Sequence, residues 1–190
     1  MATSGTSHYY YYENQKMNLG LIKTDMLIIG FVDGTDTATK EKILAEYDFL
    51  SRILDETTSG SADLTVVMVK PDANLTPGTM EVKMNLLEQN PQIMYASPFF
   101  PPNVNSPGRL GISNQFLVTL ESESDMKYLE NLLKRTRTRL VEPLGPLTYI
   151  VAADKNSAGN ALDMANYFHE SQGIKNAEPD FFHNLILDQF

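Results

Sequence analysis

With 190 residues and 42% hydrophobic positions, the chain can bury a proper core, and its length suits one domain or two small ones. A net charge of −9 and a pI near 4.7, with the acid spread along the chain, argue against nucleic acid or an anionic membrane as partners. The absence of cysteine excludes disulfides, thiolate catalysis and cysteine metal sites.

The opening reads as strands. Tyr9-Tyr10-Tyr11-Tyr12 has high strand preference, and Glu13 to Lys16 is a plausible turn. Met17, Leu19 and Leu21 then alternate with polar or small residues, the period of a half-buried strand. Met26 to Val32 is an apolar run that suits a buried strand. Thr37 can cap a helix whose apolar stripe would be Ile43, Leu44, Tyr47, Leu50, Ile53 and Leu54. Glu56 to Asp63 reads as a Ser/Thr/Gly loop and Leu64 to Val69 as a strand. Thr79 to Gln89 reads as a helix that faces inward through Met80, Met84 and Leu87, and Ile93 to Phe99 as a closing strand.

The Pro- and Asn-rich stretch that follows Pro98 reads as a stiff extended linker, because proline lacks a donor and fixes φ. Beyond it come a strand from Gln115 to Leu120 and a helix from Glu123 to Arg135, then strands at Arg139–Glu142 and Leu147–Ala152. A helix from Asn160 to Ser171 is stopped by Gly173, and Asn176 to Phe182 is the last strand. The order is β-α-β-β-α-β.

The two halves also repeat. Shifting the chain by 81 positions sets Gly78 on Gly159, Asn85 on Asn166, Ile93 on Ile174, Ala96 on Ala177, Pro98 on Pro179 and Phe100 on Phe181. A repeat of that length is a domain-sized unit, so both halves should share one fold. The expected fold class is α+β: two tandem ferredoxin-like (βαββαβ) units with an N-terminal β-hairpin. The expected division is 1–100 with the hairpin, a linker at 101–113, and 114–190 with a tail. In such a unit one sheet face carries the helices and the other is open for docking.

Catalytic candidates are poor. His8, His169 and His183 have no metal-ligand spacing with one another or with a carboxylate, and His169 suits a helix end. No Gly-rich phosphate loop is present. The expectation is therefore no catalysis, no metal and no cofactor. The tyrosine run is either an edge strand or a binding surface of amphipathic rings. Lys134 to Arg139 is a basic helix end and could contact an anion. Asn74-Leu75-Thr76 matches a glycosylation acceptor, a pattern frequent by chance. No transmembrane stretch and no signal-peptide core are visible.

Several strings resemble the two-part propeptides of Bacteroides-type subtilisin-like serine proteases. They are the tyrosine run with Lys16-Met17-Asn18-Leu19, Asn114-Gln115-Phe116-Leu117-Val118, Asn156 to Phe168, and Ala177-Glu178-Pro179-Asp180. The catalytic segments of such proteases are absent from this chain. The resemblance implies a non-catalytic protein that binds and inhibits a subtilisin-like serine protease, or assists its folding. It also implies an exported location, secreted or periplasmic, with the signal removed. On that reading Glu178, Asp180, His183, Asn184, Leu185, Ile186 and Leu187 would contact the protease, the apolar tail lying in its substrate cleft as an added strand. The alternative is a small-molecule, amino-acid-sensing regulatory protein built from tandem ferredoxin-like units. Its ligand would sit between strand and helix near Asp33-Gly34-Thr35, for which the second half offers Glu121-Ser122-Glu123. The sequence leaves the oligomeric state open.

Overall fold

Residues 7–59, 62–101 and 108–184 are described by the computed structural model. The chain is a mixed α+β protein with antiparallel sheets, and it divides into two compact units. The first comprises, of the described residues, 7–8, Leu19–Gly111 and 182–184; the second comprises Tyr9–Asn18 with Ile112–Phe181.

The tyrosine run forms β1 (His8–Tyr12), which pairs with β2 (Gln15–Gly20) in a two-stranded ribbon. Glu13 and Asn14 both take positive φ, 47° and 62°, as a two-residue hairpin turn demands. The sequence reading set this hairpin at the head of the first unit. The structure corrects that: Tyr9–Asn18 belongs to the second, because its tyrosines pack there.

In the first unit, β3 (Met26–Phe31) is buried along its whole length. After it come α1 (Thr37–Leu44), β4 (Leu50–Ser59), β5 (Ala62–Val69), α2 (Pro77–Leu87) and β6 (Ile93–Phe100). The strands lie in the order β4-β5-β3-β6. Here one expectation fails. The stripe from Ile43 to Leu54 is not one helix, since α1 ends at Leu44 and the expected loop at Glu56–Asp63 is mostly strand. Leu50 pairs with Val69, Ile53 with Val67 and Thr57 with Leu64, so sheet pairing outweighs a helical period carried by only a few residues. Asp36 accepts the Thr39 amide at 2.8 Å as the N-cap of α1. Thr76 and Thr79 form a reciprocal capping box on α2.

Alternation along β3 sends Met26 and Ile28 to one face and Leu27 and Ile29 to the other. The first pair joins Leu64, Val66, Tyr95 and Phe99 in a buried cluster that holds no helix residue, with Phe182 packed on it. This face is therefore not the open docking surface expected of it.

The second unit takes β7 (Arg109–Leu120) from Ile112 on, then α3 (Met126–Thr136), β8 (Arg139–Pro143), β9 (Thr148–Ala152), α4 (Ala161–His169) and β10 (Ile174–Asn184) as far as Phe181. The strands lie in the order β8-β9-β7, with β10 on the other side of β7. Of the expected linker, 102–107 lies outside the described residues, while Arg109–Ser113 is strand rather than linker. Leu110 and Gly111 pair with Phe100 and Phe99, which satisfies their backbone groups. The helical side of the sheet is held by Phe116, whose ring meets Phe168 of α4 edge-on at 5.1 Å. Leu117, Thr119 and Thr148 on the opposite side are half-buried.

The offset of 81 carries β5-α2-β6 onto β9-α4-β10, whereas it sets Thr37, the first residue of α1, on Val118 within β7.

Candidate functional site

The residues expected to meet a partner do not converge on a site. Glu178 and Asp180 lie half-buried on β10 and are engaged within the second unit. Asn176 Nδ2 donates to Glu178 Oε1, and Ser113 Oγ donates to Asp180 Oδ2 at 2.8 Å. His183 is exposed near the end of the strand, and Asn184 is its last residue. Leu185, Ile186 and Leu187 lie outside the described residues.

The β3–α1 turn offers little to a ligand. Thr35 spends both its amide and its hydroxyl on the Val32 carbonyl, at 3.1 and 2.6 Å. Gly34 has φ +81°, and a Cβ there would meet nothing within 4 Å, so the glycine serves the turn and not a close approach. In the second unit, Ser122 is tied to Asp125 at 2.5 Å.

A groove of about 940 Å³ lies on the helical side of the second unit. One wall is α3, with Tyr128, Asn131, Leu132, Lys134 and Arg135; the other is Tyr167, Glu170, Ser171 and Gln172 at the end of α4. Helical spacing makes the first wall. Leu129, Leu132 and Thr136 are buried, so Tyr128, Asn131 and Arg135 share the turned-out side. Lys134 and Arg135 occupy the last turn, where the helix dipole favours cations. Arg137, at φ 55°, ends the helix.

The second wall is placed by the apolar stripe of α4. Ala161, Leu162, Ala165 and Phe168 are buried, and Asn160 caps the start by accepting the Asp163 amide at 3.0 Å. Tyr167 is thereby turned outward, 38% exposed. The walls are joined by named contacts. The Arg135 guanidinium lies 5.3 Å from the Tyr167 ring and donates to its hydroxyl. Gln172 Nε2 donates to the Tyr128 hydroxyl at 2.9 Å. Gly173, at φ +79°, admits the Tyr128 ring: a Cβ there would stand 2.5 Å from it.

Glu170 is the groove's single acidic lining residue, facing two basic ones. Its Oε1 accepts from the Tyr11 hydroxyl at 2.7 Å. That bond, followed by burial and the Glu170 charge, pushes the Tyr11 phenol up to about 12. The Tyr11 ring stacks on His169 at 4.1 Å with 13° between planes, and Lys16 lies 3.7 Å over the Tyr9 ring. The histidine read as a helix-end residue is the last residue of α4, with Nδ1 3.1 Å from Asn176 Oδ1. Tyr10 packs on Phe181 at 4.8 Å, and burial, then Glu178, raise its pKa.

Sequence reasoning missed this groove. The Lys134–Arg139 cluster and the helix end at His169 were both visible, but nothing local linked them. Among the described residues no group of three or more His, Asp or Glu is placed to hold a metal ion. Among the same residues no helix is long and apolar enough to cross a membrane.

No family model matches the chain, and no curated protein matches it. Among solved structures it is similar to the small subunit of acetolactate synthase from Thermotoga maritima, with 12% identity and a TM-score of 0.32 over 87% of this chain and 100% of that one. At that distance the likeness carries no functional argument of its own. The expected partner nevertheless needs correcting. None of the comparisons points to a subtilisin-like protease, and it is withdrawn as the partner.

Proposed function

We propose that the chain is a non-catalytic regulatory protein of two ferredoxin-like βαββαβ units, and that it senses a free amino acid in the groove of the second. Support for the fold comes from element order and strand order. Each unit runs strand, helix, two strands, helix, strand, and in each the third-formed strand lies beside the first.

The observation that carries the ligand class is the charge pattern of the groove. Lys134 and Arg135 on one wall suit a carboxylate, and Glu170 on the other suits an ammonium group. Asn131, Ser171 and Gln172 supply neutral polar contacts, and the Tyr128 and Tyr167 rings supply apolar surface. A zwitterion presents a partner to each sign of charge in that set.

The test is a thermal-shift screen against each common amino acid singly. A ligand that binds only the folded state stabilises it by about 2.7 kcal/mol at a hundred times its Kd. A shift for one or a few amino acids supports the reading, and no shift for any of them at millimolar concentration refutes it.

A further inference from the structure

Resting on that reading of the groove, we infer that the β1–β2 hairpin is a strap latched on Glu170, and that Tyr11 competes for this carboxylate with the ammonium group of a ligand. The latch is small and specific. Tyr11 donates its hydroxyl to Glu170 at 2.7 Å, stacks its ring on His169 at 4.1 Å, and is flanked by Asn166 Nδ2 donating to the Tyr9 carbonyl at 2.8 Å. All three α4-side residues lie on one turn at the end of that helix.

Tyr10 packs on Phe181 at 4.8 Å and Leu19 is buried, while Tyr12, Glu13, Asn14, Gln15, Lys16, Met17 and Asn18 are exposed. An isolated two-stranded hairpin is marginal in water, so its order depends on such contacts, the latch among them. Glu170 is at once the acceptor of the latch and the groove's acidic lining residue. An ammonium group that pairs with Glu170 neutralises the charge that makes it a strong acceptor, and the Tyr11 bond weakens. Filling the groove thus loosens the strap, and by linkage loosening the strap favours filling the groove.

The experiment is amide hydrogen exchange on the full chain, wild type, Tyr11→Phe and Tyr12→Phe, with and without the amino acid that gives the largest thermal shift. Tyr11→Phe keeps the ring and removes only the hydroxyl; Tyr12 is 48% exposed and serves as control. In the ligand-free chain, Tyr11→Phe should raise exchange at 9–18 severalfold while β7 and β9 stay protected, and Tyr12→Phe should change nothing. Ligand should raise hairpin exchange in wild type, and Tyr11→Phe should bind it about three- to tenfold more tightly, the range of one ordinary hydrogen bond. Unchanged hairpin exchange in ligand-free Tyr11→Phe overturns the latch. Binding that leaves the hairpin protected, with equal affinity in both forms, overturns the competition. If neither form binds any amino acid, the reading of the groove fails and the competition with it, while the ligand-free exchange still decides the latch.

Discussion

Gly30→Ala in the middle of β3 should be among the most damaging single changes in the first unit. In a strand interior, alanine would ordinarily gain about 0.5–1 kcal/mol over glycine through a stiffer unfolded chain. Here a Cβ would fall 1.8 Å from Tyr95 Cε1 and 2.3 Å from Cδ1. The ring has nowhere to move. Tyr95 is 7% exposed, packs with Ile28 and Phe99, and donates its hydroxyl to the Asp63 carbonyl at 3.0 Å. Overpacking of a rigid core costs about 1–3 kcal/mol, and a clash with a fixed ring lies at the upper end. At about 2–4 °C per kcal/mol for a chain of this size, the melting temperature should fall by about 6–12 °C. The assay is urea and thermal unfolding of Gly30→Ala, Tyr95→Val and the double variant. If the ring is the obstacle, the double variant should be less destabilised than the sum of the singles by about 2 kcal/mol. A Gly30→Ala protein within about 0.5 kcal/mol of wild type, or strict additivity in the cycle, refutes the reasoning.

Three further outcomes are expected. Phe168→Ala empties the ring site against Phe116 and should cost about 3–5 kcal/mol in unfolding free energy, measured by urea titration. The Tyr11 phenol is held protonated, its pKa pushed from 10.0 to about 12, so the stability from its bond is intact below pH 10 and is lost as pH rises towards 12. Tyr11→Phe should show a flatter alkaline stability profile than wild type, with a phenolate absorbance step near pH 12 missing. Glu56 is held below its ordinary 4.5 by hydrogen bonds from Lys40 and then Thr37, so its contribution is present above that value and lost as pH falls through the lowered pKa. Lys40→Gln should reduce that acid-side loss in a pH series of melting temperatures.

Much of the strand and helix order was legible because apolar periods are local. Met26–Phe31, Ile93–Phe100 and the inward faces of α3 and α4 all follow from spacing. The failure at Leu50–Ser59 came from a stripe that fits two periods. Ile53 and Leu54 read as helix, but the ladder to β5 is a long-range pairing that no window contains. The placement of the hairpin was hidden for the same reason, since Tyr11 and Glu170 are 159 residues apart. The groove needed three distant pieces: the turned-out side of α3, the end of α4, and the positive φ of Gly173. Each was visible alone, and only the fold puts them opposite one another.

Whether the second unit binds an amino acid through opposed charges is decided by calorimetric titration of wild type, Arg135→Ala and Glu170→Gln with the screened amino acid. Saturable one-site binding to wild type is expected, with at least a tenfold loss of affinity in both variants. Equal affinity in all three proteins, or no heat of binding for any amino acid, would contradict it.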